Sequence, residues 1–311
     1  MKAFHADAAP LALPPGHVFP ASKYRLLRTE VQTWPELEIE GASPASDEVL
    51  GGAHDPAYVA AVAGNRLSAA EQRAIGFPWT EAMVERARRS VGATLAAARA
   101  ALAEGVAANL AGGTHHAAAA RGSGYCVFND VAVATRRLQA EAASIGAPPL
   151  RVAVIDLDVH QGDGTASIFA GDPSVFTLSL HGARNFPFRK AESTLDVALP
   201  DGCRDDEYLA ALDTALDAVF HEHAARPFGL AFYLAGADPH EGDRLGRLKL
   251  SADGLLARDR TVLAALGGRR IPCALTMAGG YGRDITVTVA IQVATVGAAV
   301  DAWRQWKNAR R

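Results

Sequence analysis

The sequence has little cysteine: Cys126, Cys203 and Cys273 are the only three in 311 residues. An odd number, widely spaced and with no CxxC pair, argues against a disulfide framework or a zinc knuckle. It fits a reducing cytoplasm. Excess positive charge is also missing. The formal net charge is −3, so neither nucleic acid nor an anionic membrane is expected as a partner. The one internal basic cluster, "ERARRS" at 85–90, reads as the wet face of a helix. There is no long apolar run. The longest uncharged segment, between Asp284 and Asp301, holds three threonines and a glutamine and reads as too short for a bilayer span. His5 and Asp7 stand where a secretory signal needs apolar residues, so a cytoplasmic protein is expected. No repeat or low-complexity linker interrupts the chain.

What is present is an ordinary globular balance, 49% hydrophobic and 21% charged. Val84, Val91, Leu95 and Leu102 recur at helical spacing between Glu81 and Gly105, with Thr80 placed to cap the helix after Pro78. Helices are also predicted over about 129–143, 206–225 and 251–266. Among them lie four β-rich runs, "RVAVIDLD", "SVFTLSL", "GLAFYLAG" and "IPCALTMAGG". This alternation predicts an α/β fold with a mainly parallel sheet covered on both faces. Each run ends in polar groups: Asp156, Asp158 and His160; Ser179 and His181; Asp238; Tyr281. Ligands bind at the carboxyl ends of such strands. Convergence there makes residues 1–311 one domain.

The chemistry follows from residue types. In extended chain, residues two apart share a side, so Asp156, Asp158 and His160 can face one way. Carboxylate with imidazole suits Zn²⁺ or Fe²⁺. Asp238 could supply a third ligand, and Asp₂His with an open position is a catalytic arrangement. His115 and His116 follow the flexible Gly112–Gly113 pair. A catalytic histidine needs a carboxylate on its far nitrogen, and Asp156 and Asp163 are free for that. Tyr281, set between glycines, can aim its hydroxyl inward as an oxyanion donor.

The segments "GGTHHA", "GYCVFNDVAVA", "DLDVHQGDGT", "SLHG", "AGADPHEGDRLGRL" and "AGGY" stand in the order they have in zinc-dependent histone deacetylases and their bacterial relatives. The earlier "GHVFPASKYRLLR" and "HDPAYVAAV" resemble the class IV branch. The likeness runs from about Gly16 to Asp284. It implies the arginase-deacetylase fold, a single three-layer α/β/α domain. It implies Asp158, His160 and Asp238 as ligands of one Zn²⁺, with Fe²⁺ as an alternative, and it pairs His115 with Asp156 and His116 with Asp163. It makes Tyr281 the oxyanion donor. It adds a structural K⁺ near Asp156, Asp158, His160, Ser179 and the Leu180 carbonyl. Gly124, Tyr125, Leu245, Gly279 and Gly280 would form a substrate tunnel with Leu245 at its rim. The implied reaction is hydrolysis of an acylated amine, an acyl-lysine or a small acylated molecule. His115 would take the water's proton and His116 would protonate the amine.

Three positions depart from that pattern. "RAIGFPWTEAM" (73–83) has no carboxylate before Glu81, where many eukaryotic relatives carry an acid that grips the substrate backbone. Tyr125 replaces a common phenylalanine, and Gln161 a common histidine. An arginase-like ureohydrolase would hold two metals with more carboxylates, whereas His240 stands two residues after Asp238. A binding protein without activity would have lost ligands that are all present.

Overall fold

A computed structural model describes residues 1–309 except 10, 12 and 15; these three and residues 310 and 311 lie outside the described residues. Its strands are β1 (Lys2–His5), β2 (Glu38–Gly41), β3 (Val106–Asn109), β4 (Val152–Asp156), β5 (Val175–Gly182), β6 (Leu195–Leu199), β7 (Leu230–Leu234) and β8 (Cys273–Thr276). They form one sheet in the order β2-β1-β3-β8-β7-β4-β5-β6, and every neighbouring pair is parallel. Strands β3, β4, β5, β7 and β8 are buried at every residue. That is why they read as continuous apolar runs, not as alternations.

The helices are α1 (Lys23–Val31), α2 (Asp47–Leu50), α3 (Pro56–Ala63), α4 (Ala69–Ile75), α5 (Glu81–Glu104), α6 (Asp130–Ser144), α7 (Asp163–Ile168), α8 (Asp205–Ala225), α9 (Ala252–Gly268) and α10 (Ile285–Asn308). The period-2 geometry of a strand divides the core in two. Val152 and Val154 of β4 pack with Ala97 of α5 and Val131 of α6. Ala153 and Ile155 pack with Leu212 of α8, Val262 of α9 and Val296 of α10. The result is one three-layer α/β/α unit.

Two sequence expectations change. Arg86 is not on the wet face of α5. It shares a buried stripe with Met83 and Ser90, and its guanidinium lies 4.3 Å from the centre of the Tyr24 ring; only Arg88 and Arg89 reach acidic partners, Asp47 and Glu85. The helix that opens with the uncharged stretch after Asp284 also runs on through Asp301, giving α10 a length of 24 residues. By length and composition α10 is able to cross a membrane. Here it packs against α9, α1 and β3, with Thr288, Gln292 and Thr295 among its buried residues.

Candidate metal centre and catalytic site

The parallel sheet brings the carboxyl ends of β3, β4, β7 and β8 side by side, and the site is built from the turns that leave them. After β3, Gly113 (φ +73°) turns the chain toward the histidine pair. Asp130, at the start of α6, holds this turn: its carboxylate accepts from the Gly113 N–H at 2.9 Å, the Thr114 N–H at 2.8 Å and Thr94 Oγ1 at 2.5 Å. Asn129 Nδ2 donates to the Ala117 carbonyl at 3.1 Å. The Asn129 N–H donates to His54 Nε2 at 2.8 Å, while His54 Nδ1 lies 3.1 Å from the Ala118 carbonyl.

The two histidines so placed each meet a carboxylate. His115 Nδ1 is 2.6 Å from Asp156 Oδ2, and His116 Nδ1 is 2.6 Å from Asp163 Oδ1. Their ring centres lie 4.1 Å apart. Burial pulls His115 down, but the charges of Asp156 and Asp158 outweigh it and raise its pKa to about 9. Burial also acts on His116, the neighbouring His115 adds to it, and Asp163 offsets only part, leaving His116 at about 4. In the metal-free site the two rings are therefore pushed in opposite directions.

Past β4 and β7, one ligand atom each from Asp158, His160 and Asp238 gather within 4.8 Å of one another, all three residues buried. His160 Nδ1 lies 2.9 Å from Asp158 Oδ1 and 3.3 Å from Asp238 Oδ2. Asp238 Oδ2 is buried and accepts no hydrogen bond. Burial, followed by the charge of Asp158, raises the Asp238 carboxyl to about 7. A divalent cation relieves both the orphaned oxygen and the repulsion, so the donor set fits a metal. Gly279 makes room for it: a Cβ there would fall 1.9 Å from Asp238 Oδ2, and its N–H donates to Asp158 Oδ2 at 2.7 Å. Among the described residues no second cluster of this kind is found, and His240 Nδ1 is taken by the Gly242 N–H at 3.1 Å. Ser179 pairs in register with Asp156 across β4 and β5, and its Oγ lies 3.0 Å from His181 Nδ1. Leu180 follows it on β5, fully buried.

A cavity of about 460 Å³ leads to this floor. Gly124, Tyr125, Phe186 and Leu245 line it, with His116, His160 and Tyr281 at its base. Tyr125 sits at φ +65°, unusual for a non-glycine residue. Of the two glycines expected in the tunnel wall, Gly279 lines a smaller cavity shared with His116, Gly124, Tyr125 and Tyr281, and Gly280 lines neither. Gly279 packs against the two aspartates, and the Gly280 carbonyl accepts from Lys23 Nζ at 3.2 Å. Burial, followed by the charges of Asp158 and Asp238, pushes the Tyr281 phenol well above its ordinary value, so it keeps its proton.

Several supporting residues escape the sequence reading. Lys23 is fully buried and also donates to the Ala278 carbonyl at 3.2 Å. Asp243 ties the rim to the tyrosine turn, accepting from the Leu245 N–H at 2.8 Å and the Tyr281 N–H at 2.6 Å. Arg258, fully buried, donates to the Leu157 carbonyl at 3.2 Å and the Gly236 carbonyl at 2.7 Å. These carbonyls lie between or beside the metal-ligand positions. Its partner Asp259 also accepts from Tyr233 and Thr295. Lys23 and Arg258 carry a faint signal, since each is a charge on an apolar helical stripe: Lys23 with Leu27 and Val31, Arg258 with Leu255 and Val262.

Comparison with known proteins gives one consistent answer. A model of the histone deacetylase domain matches residues 17–296. A protein of Picosynechococcus sp. named only as uncharacterized is 42% identical over 288 residues, 91% of this chain and 92% of its own length. Histone deacetylase 2 of Arabidopsis thaliana is 37% identical over 62% of this chain, and acetoin utilization protein AcuC of Bacillus subtilis 33% over 63%. These matches span only about half of those two proteins, 49% and 54%. The crystal structure of an HDAC homolog from Aquifex aeolicus superposes with a TM-score of 0.79 at 24% identity, covering 96% of this chain and 83% of that one.

Proposed function

The chain belongs to the histone deacetylase family, and we propose that it is a metal-dependent deacylase that cleaves the amide C–N bond of an acylated amine with water, releasing a carboxylic acid and the free amine. The observation that carries this reading is the buried Asp158, His160 and Asp238 group, with an unsatisfied Asp238 oxygen, beside two His–Asp pairs at the foot of a cavity. A zinc or ferrous ion held there supplies Lewis acidity and makes a water acidic enough to ionise near neutral pH.

The residues divide the remaining work. His116 is neutral and its Nδ1 faces Asp163, which leaves Nε2 to accept the proton of the attacking water and return it to the leaving nitrogen. The charges of Asp156 and Asp158 raise the pKa of His115, which suits it to hold a proton and stabilise negative charge as it develops. This gives the first proton to His116, where the family likeness gives it to His115. The Tyr281 hydroxyl, kept protonated, donates to the carbonyl oxygen as it becomes an oxyanion. The pairing of Asp156 with Ser179 in the sheet supports a potassium ion among Asp156, Asp158, His160, Ser179 and Leu180, as the family likeness implies.

The finer reading is a class IV-like cytoplasmic enzyme that accepts acyl chains longer than acetyl. The size of the cavity and its Tyr125, Phe186 and Leu245 walls support it, since each buried methylene contributes about 0.8 kcal/mol. Three buried free cysteines accord with a reducing compartment. The test is kcat/KM of the zinc-loaded protein on acetyl-, butyryl-, octanoyl- and myristoyl-lysine peptides beside N-acetylated polyamines. Hydrolysis of none would sink the deacylase reading. A monotonic fall with chain length, or a preference for acetylated polyamine, would remove the long-chain reading alone.

A further inference from the structure

We infer that the amine carrier is anionic close to the scissile amide and that Arg73 reads that charge, a substrate class that rests on the deacylase reading above. Arg73 lines the mouth of the cavity and is exposed. Apart from the histidines at the base it is the one charged side chain in that lining, which contains no carboxylate. It makes no hydrogen bond or ion pair with any described residue. Glu71, the nearest acid on α4, is occupied by the cap of its own helix, accepting from the Ser68 N–H and hydroxyl.

The position is fixed as well as free. The Gly124 N–H donates to the Ala74 carbonyl at 3.0 Å and the Tyr125 N–H to the Ile75 carbonyl at 2.7 Å, so the last turn of α4 is docked on the tunnel wall. Arg244 donates only to the carbonyls of Tyr281 and Val18. Its positive charge acts on the Tyr125 phenol, against the larger effect of burial. Arg73 at the mouth and Arg244 acting on the Tyr125 wall are thus two guanidiniums without acidic partners, in a chain whose net charge is negative. Such an arrangement raises the local concentration of anions and repels ammonium groups. A guanidinium is also suited to a carboxylate or phosphate oxygen pair. A basic residue in the last turn of α4 complements the helix dipole too, but that role concerns α4 alone and would not sort substrates by charge.

The experiment uses the zinc-loaded protein and octanoyl-lysine peptides that differ only in Asp, Ala or Lys beside the acylated residue, together with free Nε-octanoyl-lysine. The expected order of kcat/KM is Asp, then Ala, then Lys. The span should be about fivefold at low salt, the size of an exposed ion pair, and should shrink at about 1 M salt, where the screening length is about 3 Å. Arg73→Glu should reverse the order and Arg73→Lys should keep it. The free amino acid separates the two sources of charge: cleavage as fast as the Asp peptide points to the carrier's own carboxylate, slower cleavage to a neighbouring acidic side chain. Hydrolysis with no charge order, or an order unmoved by Arg73→Glu, overturns this inference alone. Failure to hydrolyse any acyl amide overturns the reading beneath it as well.

Discussion

Replacing Arg258 by methionine tests how the metal-ligand strands are held. The guanidinium is fully buried and donates at 3.2 Å to the Leu157 carbonyl, 2.7 Å to the Gly236 carbonyl and 2.9 Å to Asp259. Leu157 lies between Asp156 and Asp158, and Gly236 lies two residues before Asp238. Methionine fills similar volume but leaves the Asp259 charge in the core with only Tyr233 and Thr295 as donors. Breaking a buried pair in this way costs about 3–5 kcal/mol. Removing both charges, in Arg258→Met with Asp259→Leu, should recover most of that loss. The two carbonyls remain unsupported in either variant. Metal affinity should therefore fall by about 10–100-fold in both, the usual effect of losing a group that supports ligand residues. Denaturant unfolding of the metal-free protein and zinc competition against a chromophoric chelator measure the two quantities separately. A single variant that is destabilised yet binds zinc as tightly as the parent would refute the positioning role and leave Arg258 as a core residue only.

Tyr281→Phe should keep fold and zinc content while kcat falls by about 10²–10³-fold; turnover within a few-fold of the parent would mean packing, not oxyanion stabilisation. Asp238→Ala should lose the single tightly bound metal equivalent, read by metal analysis after dialysis. Two equivalents in the parent would revive a two-metal ureohydrolase. His54 is buried neutral, burial lowering its pKa against the pull of the Ala119 and Ala118 carbonyls. An unfolded histidine titrates near about 6.5, so below that pH the unfolded chain binds the extra proton. His54 therefore contributes stability above about pH 6.5 that is lost on acidification, at up to about 1.4 kcal/mol per pH unit. His54→Gln, which cannot titrate, should show a shallower acid limb of unfolding free energy; identical limbs would exclude His54 as the group responsible.

The catalytic centre was legible because its residues sit where strands stop. In "VAVIDLDVHQGD" the apolar run shows the strand, and the sudden carboxylates show that the chain has left it. The pairing of each histidine with its aspartate rested on resemblance, since separations of 41 and 47 residues are invisible to local pattern. Four strands went unread. β1 (KAFH) and β2 (EIEG) are short and broken by charge, and β3 (VAAN) is half alanine, a weak strand former that continues the alanine-rich pattern of α5. β6 lies at the sheet edge, half exposed, with the charged Asp196 as its second residue. Arg86, Lys23 and Arg258 were missed for another reason. A charge on a helical stripe reads as exposed unless its partners are known, and those partners are carbonyls and rings distant in the chain. The opposite pKa shifts of His115 and His116 arise from charges that only the fold brings close, which no spacing encodes.

The position of β8 sets the order in which the protein can be made. It lies between β3 and β7, although it is the last strand synthesised. Without Cys273–Thr276 the strand order leaves two unjoined groups, β2-β1-β3 and β7-β4-β5-β6. One carries the histidine turn; the other carries Asp158, His160 and Asp238. Each ends in an open parallel edge of the kind that invites pairing with other chains. The four buried residues of β8 close both edges, and the Gly279–Tyr281 turn that follows lies where the two halves of the centre meet. A nascent chain of this design passes most of its synthesis without a complete catalytic centre. Its hazard in that interval is association through sheet edges, a load that falls on chaperones rather than on the chemistry.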